Sequence, residues 1–133
     1  MVEATRGLLD TSVVIDHDVI DAARLPEESA IAAITLAELA AGPHATGNPD
    51  ERARRQDRLQ WAASTWDPLP FDAEAARIYG RLFAAARAAG RTSRSRLADL
   101  LIASTAAAHR LPLYTRNPSD FDALRGIVTI VPV

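Results

Sequence analysis

The chain has no cysteine, which excludes disulfides, thiolate metal sites and a cysteine nucleophile. Lysine is absent as well: all fifteen basic residues are arginine. A lysine-bearing phosphate loop and Schiff-base chemistry both need an amine, so neither is available. Aromatic residues make up only 5% of the sequence, and the core must be built from alanine, leucine, isoleucine and valine. No apolar run is long enough to span a bilayer, and the N-terminal residues lack the charged, apolar and small-residue succession of a secretory leader. A cytoplasmic protein without membrane contact is the expectation. With 48% hydrophobic and 24% charged residues over 133 positions, the composition is that of a globular protein, expected to form a single domain over residues 1–133.

The net charge of −2 is unevenly spread. Between Ala75 and Ala98 stand Arg77, Arg81, Arg87, Arg91, Arg94 and Arg96, with no acid among them. Such a basic block points to an anionic partner; as a solvated helix face and loop it would carry no function.

Gly7-Leu8-Leu9-Asp10-Thr11-Ser12-Val13-Val14 organises the rest. Its apolar run breaks at an aspartate, as a strand buried on both faces does. The C-terminal end of such a strand is where open α/β sheets bind ligands. Asp10 equally suits the N-cap of a following helix. Downstream, the pattern predicts a helix over 16–25, a strand over 29–35, and a helix from Thr35 to the Gly42-Pro43 stop. Thr35-x-x-Glu38 matches a capping box, which alone would explain Glu38. Further helices are predicted over 50–66, with Leu59, Ala62 and Ala63 inward, over 72–90 with Asp72 as cap, and from Ser95 to about Arg110. Strands are expected over 111–115 and 127–133, with a weak candidate near Leu69. Strands alternating with helices predict an α/β three-layer sandwich: a mainly parallel sheet of about four or five strands, helices on both faces.

From Leu97 to Ala108 the only charge is Asp99. A helix apolar nearly all round is buried, and a buried carboxylate is costly unless a cation or donors meet it. A first-turn acid favoured by the helix dipole is the plainer alternative. Helices run antiparallel to the strands they cover, so Asp10, Glu38, Asp99, Asn117 and Asp120 are all expected at one sheet edge. Clustered hard oxygens suit Mg²⁺ or Mn²⁺. His17, His44 and His109 lack metal-ligand spacing and read as surface residues.

Asp10-Thr11-Ser12, Thr35-x-x-Glu38-Leu39, Ala98-Asp99-x-x-Ile102-Ala103 and Thr115-Arg116-Asn117-x-x-Asp120-Phe121, in this order, resemble PIN-domain ribonucleases of the VapC toxin type. The resemblance implies a PIN-like fold and a metal-dependent endoribonuclease acting on tRNA or ribosomal RNA. It implies that Asp10, Glu38 and Asp99 bind Mg²⁺ or Mn²⁺, that Asn117 and Asp120 complete the catalytic set, and that Thr11, Ser12 and Thr115 support it by hydrogen bonds. A cognate VapB-type antitoxin, homodimerisation and a higher assembly with the antitoxin are implied too. Arg87, Arg91, Arg94, Arg96 and Arg116 are the expected RNA contacts, near the acidic edge. An antitoxin arginine reaching the acids is expected, with the rest of the inhibitor on helices over 16–25 and 36–41. A phospho-receiver module would need a lysine that is missing, and a haloacid-dehalogenase phosphatase a second Asp where Ser12 stands. A non-catalytic RNA-binding module or signalling module with an acidic cation site is the alternative function.

Overall fold

The structure, a computed structural model, describes residues 4–133. Four strands, β1 (Arg6–Leu9), β2 (Glu28–Ile31), β3 (Leu113–Thr115) and β4 (Ile130–Pro132), make one sheet in the order β2-β1-β3-β4 with every neighbour parallel. Their side chains alternate between two apolar cores. Leu8, Leu113 and Ile130 face α4 (Ala73–Ala88) and α5 (Leu97–Ala108), packing with Leu82, Ala86, Ile102 and Phe121. Leu9, Ile31 and Tyr114 face the other way, toward Val13 and Val14 of α1 (Thr11–Ile15), Leu39 of α2 (Ala33–Ala41) and Ala62 of α3 (Pro49–Thr65). Burial on both faces explains why the strands read as continuous apolar runs. The result is the expected three-layer α/β sandwich, and Leu69 contributes a single parallel bridge to Ala32 rather than a fifth strand.

The helices begin and end for identifiable reasons. Asn48 accepts from Glu51 N at 3.0 Å with Pro49 in the first helical position of α3. Asp72 accepts from Ala75 N at 2.9 Å and opens α4. Gly90, with φ +71°, closes the chain after α4 in the left-handed region that glycine adopts without a Cβ penalty. In α5, Ser104 and Thr105 are buried but satisfied, donating to Leu100 O and Leu101 O at 2.6 and 3.0 Å.

Several local expectations change. Residues 16–25 form two separate 3₁₀ turns, His17–Val19 and Ala22–Arg24, joined through extended Ile20. Asp21 turns its carboxylate onto Ala23 N, and such local bonds compete with a continuous helix. Strand β2 stops at Ile31, and α2 starts at Ala33, whose N–H is satisfied by Leu69 O at 2.8 Å. Thr35 is therefore the third residue of α2, and no capping box forms with Glu38. Ser95 does not cap α5; it lies in a 3₁₀ turn, Arg94–Arg96, and bonds Ser93 instead. Ala62 is buried and Leu59 half-buried as expected, but Ala63 is exposed. Strand β4 is shorter than its apolar run because the chain before it turns back on Leu124 O, and β3 starts only at Leu113 because Leu111 N still bonds Ala106 O of α5.

Two positions test the backbone. A Cβ on Gly7 would overlap the Tyr114 ring and lie 3.3 Å from Pro26 Cγ. Gly7→Ala should cost about 1–3 kcal/mol, as overpacked cores do. Arg110, just past α5, holds φ +56°, so Arg110→Gly should gain up to about 1 kcal/mol. Thermal melting checks both: the two substitutions must move the midpoint in opposite directions.

Candidate active site

The carboxyl-terminal edge of the sheet gathers the polar residues. Asp10 continues the ladder beyond β1, its N–H bonded to Tyr114 O at 3.0 Å. It is only 4% exposed. Its Oδ1 accepts from Ser12 Oγ and from Val13 N at 3.2 Å, so Asp10 ends the strand and also caps α1. Burial pushes its carboxyl above the usual range, while bonds from the Ser12 and Thr115 hydroxyls and the Val13 and Ser12 amides pull it partly back. Ser12 Oγ also accepts from Arg116 N at 3.2 Å, tying the end of β1 to the turn after β3.

Glu38 lies in the second turn of α2 and is exposed. Thr11 Oγ1 donates to its Oε1 at 2.6 Å and sits 3.1 Å from Thr35 Oγ1, which is fully buried. Thr11 has one hydroxyl proton; the carboxylate takes it, leaving Thr35 to donate to Thr11. Thr35 thus orients a site side chain, a role hidden in sequence by its match to a cap. Thr115, fully buried, accepts from Asn117 N at 3.0 Å. Asn117 O in turn accepts from Asp120 N at 3.0 Å, and the Asn117 amide makes no side-chain bond among the described residues.

Asp99, in the first turn of α5, is where the cluster registers electrically. Burial first, then the negative charges of Asp120, Asp10 and Glu38, raise its carboxyl from 3.8 to about 6, with Arg96 acting the other way. Asp99 therefore lies within electrostatic reach of each of the other three acids. Among the described residues no three of them converge into a preformed cage. Unneutralised carboxylates repel, so a loose arrangement is what their charge dictates.

The arginines divide. Arg96 Nη1 pairs with Asp120 Oδ1 at 2.7 Å, Arg91 Nη1 donates to Ser119 O at 3.0 Å, and Arg116 Nε lies 3.6 Å from Asp16 Oδ2. Arg87 and Arg94 are exposed and form no ion pair among the described residues. Arg58 belongs to no motif in the sequence. It lines a trough of about 370 Å³ with Thr11, Ile15 and Glu38, and an adjoining one of about 570 Å³ with His17 and Trp61. His17 is no plain surface residue: its ring sits 5.1 and 5.9 Å from those of Trp61 and Trp66. His109 also departs from expectation, with its Nε2 buried.

A parallel sheet that gathers acids at its C-terminal edge, flanked by helices on both faces, is the architecture of an acid-site α/β domain. The chain belongs to the PIN-domain family, whose sequence model matches residues 7–127. It is 39% identical over 127 residues to Ribonuclease VapC5 of Mycobacterium tuberculosis, covering 93% of this chain and 91% of that protein. It is 38% identical over 104 residues to VapC ribonuclease Y4jK of Sinorhizobium fredii, covering 76% and 73%. The crystal structure of VapBC-5, a member of the VapBC family of toxin-antitoxin systems from Mycobacterium tuberculosis, superposes with a TM-score of 0.85 at 40% identity, covering 97% of this chain and 99% of that one.

The raised carboxyls have a stability consequence. A folded acid with an elevated pKa binds protons that the unfolded chain has released, so its contribution is full below 3.8 and is lost as pH rises through about 6. In EDTA at pH 7.5, Asp99→Asn should therefore melt above wild type, by roughly 2–5 °C after allowing for partial exposure. The difference should vanish near pH 4. A melting point that falls, or a difference independent of pH, contradicts the cluster.

Proposed function

We propose that this chain is a divalent-metal-dependent endoribonuclease and the toxin of a VapBC-type pair, cutting tRNA or ribosomal RNA and so acting in the cytoplasm as one domain over residues 1–133. The uncompensated carboxylates at the sheet edge of a PIN fold carry this reading. Every donor there is a hard oxygen, which fits Mg²⁺ or Mn²⁺; Mg²⁺ keeps several waters and needs only one or two carboxylates. Asp10, Asp99 and Glu38 are the residues to hold it, and no helix of the described chain is long and apolar enough to cross a membrane. Such an ion, when bound, polarises a phosphodiester and makes hydroxide available from water at neutral pH.

The chain's own residues set the geometry. Ser12 and Val13 fix one Asp10 oxygen and leave the carboxylate no freedom to rotate. Thr11, backed by Thr35, turns Glu38 toward the site. Asp99 approaches from the opposite face of the sheet at the start of α5. Thr115 holds the turn that presents Asn117 and Asp120 at the rim. Arg87 and Arg94, with Arg116, offer guanidinium groups for RNA phosphates.

A VapB-type antitoxin has a receptor in the double trough along α1 and α3. The two parts share Ile15 and Arg58 and lead from Trp61 to Glu38. A peptide lying there by its apolar side chains delivers an arginine to the carboxylates, which pair guanidinium bidentately. On this reading the inhibitor lies along α1, α2 and α3 and the turns over 17–24, which replace the helix expected over 16–25. For the expected homodimer, the exposed Phe83 and Leu97 offer an apolar face beside Tyr79.

Cleavage of total RNA by purified protein tests the reading. Activity should need Mg²⁺ or Mn²⁺, disappear in EDTA, and fall at least about 100-fold in Asp10→Asn. Wild-type rates in EDTA or in the Asp10 variant would overturn it.

A further inference from the structure

Two arginines of the α4–α5 connection grip consecutive residues of the segment after β3. Arg91 donates to Ser119 O at 3.0 Å, and Arg96 pairs with Asp120 at 2.7 Å with the two side chains 29% and 36% exposed. We propose that Arg96 is a resident counter-ion of the acidic site: by pairing with Asp120 it keeps that carboxylate out of the metal's ligand set and weakens the site's hold on divalent cations. The inference rests on the metal-dependent reading above and deepens it.

Geometry and charge support it together. Arg96 occupies the N-cap position of α5, three residues before Asp99. Asp120 stands in the first turn of the Pro118–Leu124 segment. A short, charge-assisted pair commits the Asp120 oxygen it uses, and a metal seeking that oxygen must break the pair. The second grip, from Arg91, fixes the same segment, so the pair is not a lone surface contact between two mobile side chains. Arg91, Arg96, Asp99 and Asp120 line one small cavity, so the pair is close enough to tune the site. With Arg96 in place, a cation meets Asp10, Glu38 and Asp99; without it, the cation meets a fourth free carboxylate. The same geometry withdraws Arg96 from the RNA contacts expected of it, whereas Arg94, two residues earlier, is exposed and unpaired among the described residues.

Calorimetric titration of Mn²⁺ alone into the full chain, in low salt near pH 7.5, is the test. Arg96→Gln should tighten Mn²⁺ binding about 5–20-fold, the effect of uncovering one negative charge at the site. Asp120→Asn should weaken it by a similar factor, because Arg96 is then left unneutralised beside the acids. The double variant should return to within about threefold of wild type, and Arg96→Lys, which keeps the charge, should stay near wild type. In the Asp99→Asn background, the salt dependence of RNA binding should be unchanged by Arg96→Gln and flattened by about one unit by Arg94→Gln. An Arg96→Gln protein that binds Mn²⁺ no more tightly than wild type overturns the inference. So does a double variant as weak as Asp120→Asn, since Asp120 would then be a ligand in its own right. The wider reading fails separately: full Mn²⁺ affinity in Asp99→Asn, or none in wild type, removes the acidic cluster as the metal site whatever the Arg96 variants do.

Discussion

The burial of carboxylates held together at one sheet edge is the constraint on which this structure depends. A parallel sheet covered on both faces leaves Asp10 nowhere to go: its backbone is in the β1–β3 ladder and its side chain is almost wholly buried. Burying a charge without donors is prohibitive, so the next residues are chosen to supply them. Ser12 and Val13 do so at once, and Ser12 reaches on to Arg116 N. Thr11, at the start of α1 and backed by Thr35 of α2, donates to Glu38 in the same way. Small hydroxyl residues are the economical solution here, because they donate to a carboxylate without adding charge and without filling the space a cation needs.

The arginine-only composition acts on the same balance. Guanidinium groups reach the rim of the cluster but not its centre: Arg96 meets Asp120, Arg116 meets Asp16, and Arg91 meets a carbonyl. Among the described residues, Asp10, Glu38 and Asp99 form no ion pair with an arginine. An inhibitor that brings one, and a metal ion, are then alternative answers to one electrostatic deficit. On the proposed reading, inhibition and catalysis compete for the same carboxylates.

The framework of the fold was legible in the sequence where one physical rule acted alone. Leu8 and Leu9 ending at Asp10, and Asp99 as the sole charge of an apolar helix, each follow from the cost of burial. The Asp72 and Gly90 boundaries follow from capping and left-handed backbone. Legibility ended where local and distant partners compete. Thr35-x-x-Glu38 satisfies the capping pattern, yet Leu69 O, far along the chain, satisfies the α2 start and lets Thr35 face Thr11 instead. The 16–25 stretch has helical composition, but Asp21 and extended Ile20 divide it. The arginine block was visible as charge; which members pair with Asp120 or Ser119 and which stay exposed depends on a contact between segments more than twenty residues apart. No local pattern encodes that contact.

Proton release on metal binding tests the central claim most directly. Burial first, then the charges of Asp120, Asp10 and Glu38, raise the Asp99 carboxyl to about 6, and on the proposed reading a cation bound there displaces its proton. Mn²⁺ titrated calorimetrically in buffers of different ionisation enthalpy should release roughly half a proton at pH 6 and almost none at pH 8. Binding that releases no proton at pH 6 would contradict the buried acidic cluster as the metal's site.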